Sequence, residues 1–384
     1  MDSLKDKSCI VGIGETEYSK NSGRSEMRLA LEAIKSACDD AGISPKEIDG
    51  IVRFSVDSNQ VDEIARNLGI ENLRFFPEVF FGGGAGCGTV QMAAMAVALG
   101  KAKYVACFRA LNERSGFRYG QMAMAMPMMG HFQYSIPFGL MAPGSMVAVM
   151  AVRHMHLYGT KITDFGEIAV AFRKHANKNP KAMMHSKTLT LEEHANARML
   201  AYPLRLFDFC QETDGAAAVI VTSPDRAKHL KQKPVYIMAA EQGTGSWMEM
   251  MTSYQRKNIA DLEEYTCLAP HLWKEAGIGP KDIDCAQIYD AFTPLVNMQL
   301  ESFGFCKLGE GGPFVRDGAL QIGGRLPTNT SGGCLSEAYI HGFNQIVEGV
   351  RQLRGTSLVQ VPKCKHVLVT SGSGIPTSAL VLRS

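Results

Sequence analysis

The stretch Ala41-Gly42-Ile43-Ser44-Pro45-Lys46-Glu47-Ile48-Asp49 returns 235 residues later as Ala276-Gly277-Ile278-Gly279-Pro280-Lys281-Asp282-Ile283-Asp284, with seven of nine positions identical. Each copy follows an amphipathic run, Leu29 to Asp40 and Leu268 to Glu275, and precedes an apolar segment, Ile51 to Val56 and Ala286 to Tyr289. That order predicts a helix, a glycine-terminated turn, a short proline-started helix and a strand. A period this long excludes a solenoid, whose units are several times shorter. It predicts two large, homologous α/β halves.

With 384 residues, 46% of them hydrophobic, the chain can bury two halves packed as one body. Its 40 basic residues are scattered among 38 acidic ones for a formal net charge of +2, which argues against a nucleic-acid partner. No apolar run reaches the roughly 18 residues of a membrane span, and Met1 to Asp6 lacks the apolar core of a signal peptide. A cytoplasmic location with no membrane association is therefore expected. The ten cysteines show neither CxxC spacing nor clustered histidines, which argues against a metal site in this chain and for buried, reduced thiols.

Outward from the repeat, alternating patterns predict strands at Ser8 to Gly14, Gly50 to Ser55 and Tyr104 to Phe108, with a helix at Ser25 to Asp40. Parallel sheet is the expected outcome. The run Phe80-Phe81-Gly82-Gly83-Gly84-Ala85-Gly86-Cys87-Gly88 reads as a glycine turn entering a helix from Val90 to Leu99. Gly116 to Pro143, dense in Met, Phe and Tyr, reads as a loop excursion forming a pocket wall or interface, or as core filling by adaptable methionines. Helices are expected at Ser145 to Tyr158 and Asp164 to Lys178, and a buried strand over Gly215 to Val221 closes the first half. The expected division is 1–230, with an excursion at about 116–200, and 235–384. In the second half, strands are expected at Val235 to Glu241 and Cys285 to Tyr289, and a strand pair at Lys365 to Thr370 and Thr377 to Leu382.

Three glycine-lined turns at strand ends present polar side chains where a ligand can approach the backbone: Gly82 to Gly88, Tyr289-Asp290, and Gly332 to Gly342. The first contains Gly-x-Gly forms, but it lies too late in the chain for a dinucleotide fingerprint and no acidic ribose-binding residue follows the next strand. Cys87 at a helix mouth reads either as a thiolate nucleophile or as a small packing side chain. Tyr289 and Tyr339 are candidate proton-transfer groups, and His341 is a candidate base or oxyanion donor; the alternative for each is an ordinary packed ring.

Tyr158-Gly159-Thr160, Pro203-Leu204, Asp214-Gly215-Ala216-Ala217-Ala218, Asn329-x-Ser331-Gly332-Gly333 and Gln352-Leu353-Arg354-Gly355 are similar to landmarks of the thiolase superfamily. The resemblance runs end to end and is to the sterol-carrier-type thiolases and their aldolase relatives. It implies a thiolase fold of α/β class, with duplicated αβαβα halves forming a five-layered body. Counting back from Gly100 puts the family's nucleophilic cysteine at Gly83, so Cys87 fits only with a shifted loop. Where the family has histidines, this chain has Tyr289 and Tyr339, with His341 nearby; where it has Cys-x-Gly, this chain has Ser371-Gly372-Ser373-Gly374.

This pattern is similar to the subgroup of steroid side-chain retro-aldolases and benzoylsuccinyl-CoA thiolases. The resemblance implies carbon-carbon bond cleavage of a branched or bulky acyl-CoA, with coenzyme A as substrate or product carrier. It also implies a homodimer and a separate zinc-ribbon/OB-fold partner subunit. Gly333, Ser371, Gly372 and Ser373 are the expected cofactor-binding positions. Thiolysis of a β-keto acyl-CoA such as a 2-aroylsuccinyl-CoA is the leading expectation, with Cys87 acylated and Tyr289, Tyr339 and His341 moving protons. The alternative is retro-aldol cleavage of a β-hydroxy acyl-CoA by Tyr289 and Tyr339 with Cys87 a spectator. A third reading, from another class, is a non-catalytic acyl-CoA or lipid carrier or scaffold.

Overall fold

The structure, a computed structural model, describes residues 3–120, 132–247, 249, 254–373 and 377–384. Met122, Met124, Met126, Met128 and Met129 of the expected pocket wall, and Gly374, lie outside the described residues.

The first half begins with β1 (Cys9–Glu15), α1 (Glu26–Ala41), β2 (Gly50–Phe54), α2 (Val61–Leu68), β3 (Glu78–Val79), α3 (Ala85–Ala98) and β4 (Val105–Asn112). An excursion follows, with α4 (Phe132–Ser135), α5 (Pro143–Tyr158), α6 (Ile162–Ala176), α7 (Leu191–Asn196), β5 (Met199–Ala201) and β6 (Leu204–Arg205). Next come β7 (Asp214–Thr222) and α8 (Pro224–Ala227). The remainder holds β8 (Val235–Gly243), α9 (Glu263–Ala276), β9 (Cys285–Gln287), α10 (Thr293–Ser302), α11 (Gly311–Val315) and α12 (Gly333–Ser336). It ends with α13 (Phe343–Arg354), β10 (His366–Ser371) and β11 (Thr377–Arg383).

The repeated sequence folds the same way twice, and each shared residue has a task. Gly42 (φ 80°) and Gly277 (φ 70°) cap α1 and α9 in the left-handed conformation. Pro45 and Pro280 start one-turn helices. The closing aspartates hold a later strand of the same half: Asp49 Oδ1 accepts from the backbone N–H groups of Lys103 (2.7 Å) and Tyr104 (3.0 Å), and Asp284 Oδ2 from those of Lys365 (2.8 Å) and His366 (2.9 Å). A surface loop element is thereby tied to the start of β4 in one half and of β10 in the other.

The strand order β3-β2-β4-β7-β1-β8-β11-β10-β9 is the same half-sheet written twice. From the junction outward, β1, β7, β4 and β2 are matched by β8, β11, β10 and β9, antiparallel at the first two pairings and parallel at the third. The pairing of β2 with β3 is matched by a parallel bridge from Ala286 to Thr328. The expected parallel sheet is thus corrected to a mixed one, because the last strand of each half returns antiparallel between its neighbours.

Three buried clusters define five layers. Leu29, Ala33 and Ile34 of α1 pack on one face of the first half-sheet, with Val11, Ile51 and Ile220. Val90 and Val97 of α3 and Ile346 and Val350 of α13 form the middle layer between the two half-sheets. Leu268 and Leu272 of α9, with Leu295 and Val296 of α10, cover the far face of the second. Among the described residues no single helix is long and apolar enough to cross a membrane.

Replacing Asp49 or Asp284 by Ala is expected to lower stability by about 1–3 kcal/mol in each case, the scale of hydrogen bonds to a charged group. The readout is the thermal midpoint, and an unchanged midpoint for either variant would refute this account of the repeat.

Candidate active site

A cavity of about 650 Å³ opens where β3, β4, β9 and β10 end, lined by Gly82, Gly83, Gly84, Glu113, Tyr289, Tyr339, His341, Gly372 and Ser373. These are the carboxyl ends of parallel strands from both halves, where backbone and helix termini face a ligand in open α/β sheets.

Tyr289 lies just beyond β9, with its main chain held from two sides. Its N–H donates to Thr370 Oγ1 (2.9 Å) and its carbonyl accepts from Gln299 Nε2 (2.7 Å). The next residue, Asp290, is fully buried and accepts from the N–H groups of Cys334 (2.8 Å) and Leu335 (3.2 Å) and from Gln345 Nε2 (2.7 Å). This carboxylate fixes the segment that leads into Tyr339, whose own N–H donates to Thr213 Oγ1 (3.1 Å). The outcome is a hydrogen bond of 2.9 Å between the Tyr289 and Tyr339 hydroxyls. Burial pushes both phenols well above their ordinary pKa, and neighbouring groups add to this, Cys334 and Cys210 at Tyr289, and Tyr289, Cys210 and Glu113 at Tyr339. Both are therefore neutral at neutral pH.

The Tyr289 ring fits only because its neighbours lack side chains. A Cβ at Gly83 would collide with its hydroxyl and Cζ, and one at Gly342 (φ 74°) would press on Cδ2 from the other side. The position that the sequence comparison assigned to a nucleophilic cysteine is thus occupied in space by a phenol.

His341 has φ 50°, a conformation that costs a non-glycine residue about 1 kcal/mol or more. Its Nδ1 accepts from Arg109 Nε (3.0 Å), which places the ring proton on Nε2. Arg109 is buried and held by Asp57 Oδ2 (2.7 Å) and the Tyr119 hydroxyl (3.1 Å). Burial and the Arg109 charge hold the His341 pKa well below its ordinary value. His341 is accordingly a neutral hydrogen-bond donor, suited to an oxyanion and unsuited to proton abstraction.

Cys87 is not on a loop. The helix begins at Ala85, which makes Cys87 the third residue of α3, fully buried in the middle layer. Its thiol contacts Ser371 Oγ at 3.1 Å and the Val369 carbonyl at 3.6 Å, and burial pushes its pKa up to about 12. It does not line the cavity, and neither do Ser371 and Gly333. Ser371 Oγ accepts from the Cys87 N–H, and Gly333 lies against the Asp290 carboxylate. Gly372 and Ser373 do line the cavity.

Sequence reading missed Glu113, Arg109 and Tyr119. Ending the strand at Phe108 hid the first two, whereas β4 continues through Arg109 to Asn112 and delivers Glu113 to the cavity; Tyr119 lies in the excursion from Gly116, where no single residue was picked out. The signal was the apolar pair Ala110-Leu111 beyond the charge.

A family model described as "Thiolase C-terminal domain-like" matches residues 245–382. The chain is 51% identical over 384 residues, covering 99% of it and all of the relative, to the 17-hydroxy-3-oxo-4-pregnene-20-carboxyl-CoA lyase of Mycobacterium tuberculosis. It is 50% identical over 387 residues to the steroid side-chain-cleaving aldolase of Thermomonospora curvata, covering the whole chain and 99% of that protein. A solved structure described as the Ltp2-ChsH2(DUF35) aldolase superposes with a TM-score of 0.95 at 50% identity, covering 100% of this chain and 99% of the other. The chain therefore belongs to the thiolase superfamily, to its sterol-carrier-type branch, and within it to the group of the steroid side-chain-cleaving aldolases.

Proposed function

We propose that the protein cleaves the α,β carbon-carbon bond of a bulky β-hydroxy acyl-CoA by a retro-aldol reaction. The observation that carries this reading is the Tyr289 hydroxyl in the space a side chain at Gly83 would need, hydrogen-bonded to Tyr339. Thiolysis needs a covalent thiol at the cavity, and the expectation of one at Cys87 gives way to its alternative. Cys87 lies inside a helix with a raised pKa and no place on the cavity wall. A retro-aldol step needs a proton taken from the β-hydroxyl, a proton given to the α-carbon, and a donor for the thioester enolate. The linked phenols carry protons, and His341 Nε2–H is the enolate donor.

The cavity walls suit the substrate class. Phe81, Phe207, Phe209 and Phe292 offer a broad apolar surface for a ring-bearing acyl group, and Lys20, Arg114, Arg118, Lys187 and Arg198 offer positive charge for coenzyme A phosphates. The names of the two relatives, a pregnene-carboxyl-CoA lyase and a side-chain-cleaving aldolase, support a steroid β-hydroxy acyl-CoA. The Ltp2-ChsH2(DUF35) neighbour supports an assembly with a small DUF35-type subunit.

The deciding experiment supplies the purified chain, with and without such a subunit, with a β-hydroxy acyl-CoA or with a β-keto acyl-CoA plus free coenzyme A. Ketone plus one shortened thioester is expected from the first; two thioesters from the second would restore the thiolase reading. Tyr289→Phe and Tyr339→Phe are each expected to lower kcat by roughly 100-fold or more, while Cys87→Ser keeps turnover within a few fold. Gly83→Ala is expected to displace the Tyr289 ring, reduce kcat comparably and lower the thermal midpoint, since the ring is confined on its other side by Gly342. Full activity of that variant would show that the close approach to Tyr289 is not needed.

A further inference from the structure

We propose that Glu113 is the base of this reaction, the carboxylate that takes the β-hydroxyl proton; the inference rests on the retro-aldol reading above. The need for such a group follows from the phenols themselves. Neither tyrosine is ionised near neutral pH, and a neutral phenol is a poor acceptor for an alcohol proton. His341 is closed to the task because Arg109 already donates to its Nδ1 and its other nitrogen carries the proton.

Glu113 stands immediately beyond the end of β4, on the cavity wall. It is only 4% exposed, and among the described residues its Oε2 has no hydrogen-bond partner. A buried carboxylate oxygen left free costs stability, and such groups are retained where they serve a reaction. The groups around it are Glu212 and Cys210 from the segment before β7, Arg109 on β4, Arg118 and Tyr119 beyond β4, and Tyr339. Glu212 is engaged by Arg118 at 2.7 Å and Arg114 at 3.8 Å. Arg109 is committed to Asp57 and His341. Burial first and the Glu212 charge second raise the Glu113 pKa to about 8, against the N–H groups of Tyr119 and Thr213 and the Arg109 charge, which lower it. A carboxyl tuned this way is a far stronger base than an exposed one, and it is ionised in a useful fraction of molecules near neutrality.

The step balances without any further reactant. The Glu113 carboxylate removes the hydroxyl proton, and the O–H electron pair becomes the new carbonyl bond. The Cα–Cβ pair moves onto the thioester as an enolate, held by His341 Nε2–H. The tyrosine pair gives a proton to the α-carbon, and the Glu113 carboxyl returns its proton to the pair. One proton has moved from oxygen to carbon and the enzyme is restored.

The test uses the complete chain, with its small subunit where turnover requires it, and 17-hydroxy-3-oxo-4-pregnene-20-carboxyl-CoA as substrate. Glu113→Gln is expected to lower kcat by roughly 100-fold or more with KM changed only a few fold. In the unaltered enzyme kcat/KM, which reports the free protein's ionisations, is expected to rise with pH through a limb near 8 as the carboxyl loses its proton, and Glu113→Gln is expected to abolish that limb. Glu113→Asp, which keeps the carboxylate, is expected to retain the limb and part of the rate. Cleavage by Glu113→Gln at the unaltered rate would overturn this inference and leave the retro-aldol reading standing. Absence of any ketone from the unaltered enzyme would overturn both. If Glu113→Gln fails to fold, the unaltered enzyme decides, since a flat profile between pH 6 and roughly 9 is incompatible with a base of this kind.

Discussion

The buried carboxylate of Asp290 sets the distance on which the site depends. A charge removed from water is tolerated only when hydrogen bonds replace its hydration, and here two backbone N–H groups and one side-chain amide do so. Those three donors come from α12 and α13, while the carboxylate sits beside Tyr289 at the end of β9. Gly333 has no side chain because Asp290 Oδ2 lies where its Cβ would be. Tyr289 and Tyr339 are thus placed by contacts remote from their hydroxyls. Their contact of 2.9 Å is built into the scaffold before any substrate arrives.

Duplication gives this arrangement its two-sidedness. Corresponding strands of the halves end at the same cavity, but what they carry there differs. The first half brings absence of bulk at Gly83 and the Glu113 carboxyl, whose Oε2 has no partner among the described residues; the second brings the phenols and His341. The Arg109–His341 hydrogen bond crosses between them, so the donor from one half is oriented by a strand of the other. A protein of one such unit could not assemble these groups, because each wall of the cavity belongs to a different copy.

The fold was legible in the sequence because the repeat combines residues with strong local constraints: two left-handed glycines, two helix-starting prolines and two strand-anchoring aspartates. The start of α3 was not. Gly82 to Gly88 looks like a loop by propensity, yet the helix begins at Ala85, because the middle layer demands small residues. A Cβ at Gly86 would meet Ser371 Oγ at 2.7 Å, and one at Gly88 would meet Gln242 Cδ at 3.0 Å. Packing between two sheets, rather than loop flexibility, accounts for those glycines, and it carried Cys87 into the core. Tyr289, Tyr339 and His341 were legible as candidates because they follow predicted strand ends or glycine turns. Glu113 and Arg109 were not, because an arginine inside a strand pattern looks like its end until its buried partners Asp57 and His341 are known.

The relation between Gly83 and Tyr289 also bears on whether the site is a remnant or a working one. Loss of a reactive side chain by drift leaves a void, and a void in a packed interior loses contacts for its lining. Here the volume beside Gly83 is filled by a phenol whose hydroxyl has a partner, and whose ring is made room for by a second glycine at 342. Two positions without side chains and one large ring fit only together, since a Cβ at either glycine would overlap the ring. Such mutual dependence is expected where one set of chemical groups has been exchanged for another. It weighs against the carrier or scaffold reading, for which a smaller residue at 289 would serve as well.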